Sequence, residues 1–178
     1  MAEDSPIIEL SLAELRQVVA YAAACARSVL AIFEQARPGD TRPREAIGVA
    51  QAFADGGPRT KALRDSAWAA HRAAREAGEA GLAAASEAAR AALAAAGAAF
   101  LHPLAKETQV KHILGSAAHA MRAFELAAAE EPTGRSSVAQ ARILPPPVVV
   151  EVLKRYPPAP ARGGKIGELI RQLEASLR

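Results

Sequence analysis

Between Leu12 and Phe33 the apolar residues recur with a helical period: Leu12, Leu15, Val18, Val19, Cys25, Val29, Leu30, Ile32 and Phe33 cover about half of the circumference. Arg16, Gln17, Arg27, Ser28 and Gln35 fall on the other side. Ser11, with Glu14 three residues later, forms a capping box that starts this helix, and Arg37-Pro38-Gly39 stops it after Ala36. A second helix is expected to start at Pro43, a residue suited to a first helical position, and to end at Gly56-Gly57-Pro58. Ile47 and Phe53 face inward from it, and Gly48 is expected to permit a close helix crossing.

A third helix starts near Thr60, and a fourth occupies the alanine-rich stretch from Gly81 to Leu101, with Gly78 and Gly81 as the expected break. The pattern leaves open whether residues 60–101 form one bent helix or two. Pro103 is expected to open a fifth helical segment reaching Ala129, which Glu131-Pro132-Thr133-Gly134 ends. Most prolines lie beyond residue 131. Pro145-Pro146-Pro147 precedes a short helix to Tyr156, and Pro157-Pro158-Ala159-Pro160 precedes a last helix from Gly164 to Leu177. Val148, Val149, Val152, Leu153, Ile166, Leu169, Ile170 and Leu173 supply the apolar side that would pack this segment on the body. The expectation is an all-α, single-domain bundle of five main helices at 11–130, with a tail at 1–10 and a proline-rich clasp at 131–178 that ends in a short helix.

Composition changes this picture in one respect. Aromatic residues make up only 4% of the chain while hydrophobic residues make up 51%, alanine foremost, so the core must come from helices in close approach. The net charge of +3 is too small an excess to mark a nucleic-acid surface. One cysteine, Cys25, excludes an internal disulfide and lies on an apolar helix face with no base beside it, so it reads as core. The acidic start Met1-Ala2-Glu3-Asp4-Ser5-Pro6 lacks the pattern of an export signal. The Ala91–Leu101 run is too short to span a bilayer. The expected location is cytoplasmic, with no membrane association.

Three clusters could carry function. Glu34, Asp40, Arg42 and Arg44 crowd the joint between the first two helices. Two arrangements fit them: an anion held at a helix N-terminus by two guanidiniums, or carboxylates that neutralise the arginines and set the angle between the helices. Trp68 points away from the Leu63, Ala67, Ala70, Ala74, Ala77 stripe and lies among Arg64, Arg72 and Arg75. Trp and Arg dominate binding hot spots, which makes this face a candidate partner site; alternatively the C-terminal clasp covers Trp68, with Tyr156 as its mate. His112 and His119 fall one heptad apart, opposite the Val110, Ile113, Leu114, Ala117, Met121, Phe124 stripe, and are expected to be solvated or at an interface. His71 and His102 could join them as a metal or small-ligand set only if another helix covered that face. Arg162-Gly163-Gly164-Lys165 reads as a turn and cap, because the spacing of a phosphate loop is missing. No nucleophile–base set, zinc motif or dinucleotide fingerprint occurs, so no enzyme activity and no cofactor are expected.

Leu15-Arg16, Ala22 to Ala26, Val29-Leu30, Phe33-Glu34, Pro38 and Asp40-Thr41-Arg42-Pro43-Arg44-Glu45-Ala46-Ile47 resemble, in order and spacing, the hallmark of the bacterial putative immunity protein family with an Imm-five-like domain. The resemblance continues through Gln109-Val110-Lys111-His112-Ile113-Leu114-Gly115 and covers residues 12–130. Ala22 stands where relatives commonly have an aromatic, and histidines found near Ala98 in relatives are missing. The resemblance implies an all-helical cytoplasmic protein that binds and neutralises a cognate protein toxin, with no catalytic residues carried over. Mild basicity argues against a nuclease as that partner, because neutralisers of nucleases imitate acidic nucleic acid. A structural protein that forms homo-oligomers through the Trp68 face is the other reading of these residues.

Overall fold

Ser11 starts helix α1 (Leu12–Ala36) as its pattern predicts: its hydroxyl accepts from the Glu14 amide at 3.1 Å and the Glu14 carboxylate accepts from the Ser11 amide at 2.9 Å. The computed structural model describes residues 6–130 and 143–178. The residues Glu131-Pro132-Thr133-Gly134, expected to stop the fifth segment, and the start of the tail lie outside the described residues. α2 (Arg42–Ala54), α3 (Lys61–Glu79), α4 (Ala83–Gly97), α5 (Val110–Glu130), α6 (Pro147–Lys154) and α7 (Gly164–Ala175) follow. Among the described residues the only β pairing is an isolated antiparallel bridge between Ile7 and Leu104.

The alanine-rich segment is the centre of the bundle. α4 packs on α1, α2, α3 and α5, and it buries Ala84, Ala85, Ser86, Ala88, Ala89, Ala91, Ala92, Ala95 and Ala96. Alanine loses no side-chain entropy in a helix and lets neighbouring axes approach, so a helix that is small on nearly every side can be surrounded by others. Bulk is supplied around it by Val18, Val19, Val29 and Phe33 of α1, Leu63 of α3, and Ile113 and Leu114 of α5. Two buried hydroxyls pin these contacts. Ser86 Oγ donates to the Ala74 carbonyl at 2.8 Å, and Ser116 Oγ lies 2.7 Å from the Ala22 carbonyl and 3.0 Å from that of Ala91, joining α5 to α1 and α4.

Several boundaries and orientations differ from expectation. Residues 60–101 form two helices, separated at Ala80-Gly81-Leu82, where Gly81 takes φ +76°; Gly78 lies inside α3. Pro103 opens no helix. Residues 101–106 run irregularly beside the N-terminal segment, where the Ile8 amide donates to the Pro103 carbonyl, and a 3-10 turn at Glu107–Gln109 leads into α5. Gly48 faces solvent with open space around it, so it permits no crossing. Leu12 is 53% exposed, because it occupies the first turn of α1, beyond the reach of the bundle. Among the described residues α1, rather than Ala91–Leu101, is the helix long and apolar enough to cross a membrane by length and composition, and much of that apolar surface is buried in the core.

The C-terminal segment packs on the body. α6 lies against α1 and α7 against α5, burying Val149, Val152, Leu153, Leu169, Ile170 and Leu173. The buried Tyr156 donates its hydroxyl to the His102 carbonyl at 2.7 Å, and desolvation pushes its pKa up to about 12. Arg155 donates to the Glu14 carboxylate at 2.6 Å and to the Glu9 carbonyl at 2.8 Å, tying the end of α6 to the start of α1. Gly163 takes φ +105° at the N-cap of α7, and a Cβ on Gly167 would fall 2.2 Å from the Arg162 carbonyl. The expected turn-and-cap at Arg162-Gly163-Gly164-Lys165 thus has a steric cause.

Candidate partner-binding face

The joint after α1 is neutralised from within. Arg44 donates to both oxygens of Glu34, at 2.6 and 2.8 Å. Arg42 makes the same two-pronged contact with Asp40, at 2.9 and 2.7 Å, and also bonds Glu76 of α3. Arg37 adds a bond to the Glu76 carbonyl at 2.9 Å. These guanidiniums hold the Asp40 and Glu76 carboxyls below their ordinary range, the hydrogen bonds from Arg42 being the main cause in both. With each of Arg42 and Arg44 already facing a carboxylate, the geometry is that of a clamp between helices rather than an anion cradle. Glu76 was not legible in the sequence as a member, since it lies 34 residues from Arg42.

The face of α3 is built differently. Leu63, Ala70, Ala73, Ala74 and Ala77 face the core, which turns Arg64, Trp68, Arg72 and Arg75 outward. Trp68 is 59% exposed. Among the described residues the C-terminal helices do not cover it: α6 and α7 dock on α1 and α5, and Tyr156, its expected mate, is buried at the contact just described. Its aromatic neighbour is His71, edge-on with centroids 5.7 Å apart. Arg64 lies over the Phe100 ring at 5.6 Å rather than over Trp68. Ala67, Leu93 and Phe100 complete a hollow of about 420 Å³ beside the indole. Arg75 pairs loosely with Glu79 at 3.4 Å; among the described residues Arg64 and Arg72 face no carboxylate at ion-pair distance.

The histidines do not converge. His112 Nδ1–H donates to the Gly97 carbonyl at 3.0 Å, and burial, with Lys111 beside it, lowers its pKa and favours the neutral ring. His119 Nδ1–H donates to Glu87 of α4 at 2.6 Å. Both are half-buried rather than solvated, because α7 and the loop before it wall off a trench of about 560 Å³ over this side of α5. His102 is exposed and His71 sits beside Trp68 on α3. Among the described residues no group of three or more His, Cys, Asp or Glu side chains is placed to hold a metal ion, so the four histidines form no ligand set. Cys25 is buried in the core, where desolvation pushes its thiol up to about 12 and leaves no thiolate for chemistry.

The bundle and its surface define an all-helical protein whose sequence-marked joint is ion-paired between helices and whose Trp–Arg face stays exposed among the described residues. A family model described as "Imm-5 like putative immunity protein" matches residues 9–143, and the chain belongs to that family. No curated protein and no solved structure matches it.

Proposed function

We propose that this chain is a non-enzymatic binding protein that neutralises a cognate toxin in the cytoplasm, and that it does so through the α3 face of Arg64, Trp68, Arg72 and Arg75. Family membership supports an immunity role. The observation that carries the choice of face is the 59% exposure of Trp68 next to a hollow and two arginines that face no carboxylate at ion-pair distance among the described residues. Leaving an indole in water forfeits the burial free energy of a large apolar side chain, and binding would recover it. Trp and Arg are enriched among the few interface side chains whose truncation costs about 2 kcal/mol or more. Co-expression with a candidate toxin, taken from the products of the genes adjacent to this chain's own, tests the reading. The full chain is expected to capture that toxin and restore growth; neither capture nor rescue would overturn it.

A further inference from the structure

The hollow beside Trp68 and the trench over His112 and His119 share one wall. Leu93 of α4 lines both, half-buried on the ridge between them. Beyond the ridge the trench is apolar along α7, at Ile166 and Ile170, and polar along α5, at Lys111, His112 and His119.

The charges on the two sides agree in sign. The acidic groups at the trench are already engaged: Glu107 pairs with Arg162 at 3.2 Å, and Glu87 accepts from His119. Arg64 and Arg72 on the α3 side and Lys111 on the α5 side have no carboxylate at ion-pair distance among the described residues. An apolar, hollowed strip rimmed by unneutralised cations complements a surface of the opposite charge with a large apolar side chain projecting from it.

We propose that the two hollows are halves of one docking surface, running from Trp68 across Leu93 to Ile166 and Ile170, and that its occupant is an acidic protein surface bearing an apolar anchor. The claim rests on the protein-binding reading above and adds the chemistry of the partner and the extent of the contact. His112 and His119 are fixed through Nδ1 by Gly97 and Glu87, so each presents Nε2 as its remaining ring nitrogen for a hydrogen bond with the partner.

Selection from a displayed library of small three-helix domains, randomised on one face and panned against the immobilised full chain, tests this without a toxin. Enriched faces are expected to be net negative with a bulky apolar residue. Their affinity is expected to fall at least tenfold against Arg64→Glu/Arg72→Glu, Leu93→Asp and Lys111→Glu, and to be unchanged against Glu151→Lys on α6. Circular dichroism of each variant checks that it is folded; should Leu93→Asp unfold, the exposed charge reversals on the two sides still decide. Basic or neutral enriched faces, or binders sensitive to one hollow alone, would overturn the proposal, as would a 20-base-pair duplex that outcompetes the acidic binders. The two readings fail separately. Acidic binders with no toxin captured would sink the toxin assignment, whereas a captured toxin indifferent to Lys111→Glu and Leu93→Asp would sink the joined surface.

Discussion

Arg42 at the start of α2 grips Glu76 near the end of α3 through both of its terminal nitrogens, while its other edge holds Asp40. The segment that marks the family is thereby bonded to the helix that presents Trp68, and the joint fixes how the α3 face is displayed.

Arg42→Ala should lower stability by about 1–2 kcal/mol, at and just below the bottom of the range for charge-assisted hydrogen bonds, because the side chain is 27% exposed and water screens part of the gain. Arg44→Ala, whose side chain is 62% exposed, should cost less. Urea unfolding of the two variants measures the order.

Acid should weaken the clasp. Arg155 and the capping box hold the Glu14 pKa at about 2 against an ordinary 4.5. A carboxylate with a depressed folded pKa stabilises the fold above its unfolded value and loses that contribution as pH falls through the folded one. Stability should therefore decline between about pH 4.5 and pH 2, with Asp40 and Glu76 contributing in the same direction. Arg155→Ala should flatten that decline in unfolding curves collected across the same window.

Local signals were legible in the sequence. Ser11 and Glu14, the stop after Ala36 and the C-terminal helices could be read because each depends on neighbours a few residues away, whereas the pattern at Gly78 and Gly81 left a bend and a break equally open. The partners of the joint and of the histidines could not, since Glu76 and Glu87 reach their mates across 34 and 32 residues of chain. Of the candidate site, the outward face of α3 followed from its period, but the bareness of Trp68 depends on where α6 and α7 dock. The same helical pattern would have served a clasp lying on α3, and only the packing of α6 on α1 and α7 on α5 excludes it.

Cys25 should resist modification in the native protein. Its thiol is buried and shifted upward, so 5,5′-dithiobis(2-nitrobenzoate) at pH 8 should leave it unreacted for hours and label it within minutes after denaturation.

The alanine centre should tolerate enlargement poorly. Ala92 is fully buried on α4, and Ala92→Leu adds three carbons where helices already touch, at a cost of about 1–3 kcal/mol or more. Thermal unfolding should show the loss, while an added side chain at the solvent-facing Gly48 should show none from crowding.

The central claim is that Trp68 is exposed in order to bind. The most direct measurement compares wild type and Trp68→Ala for affinity to the co-expressed toxin, with unfolding midpoints recorded on the same preparations. A fall in affinity of about thirtyfold or more, with stability unchanged within about 0.5 kcal/mol, is the predicted result. Equal affinity of the two proteins would contradict it.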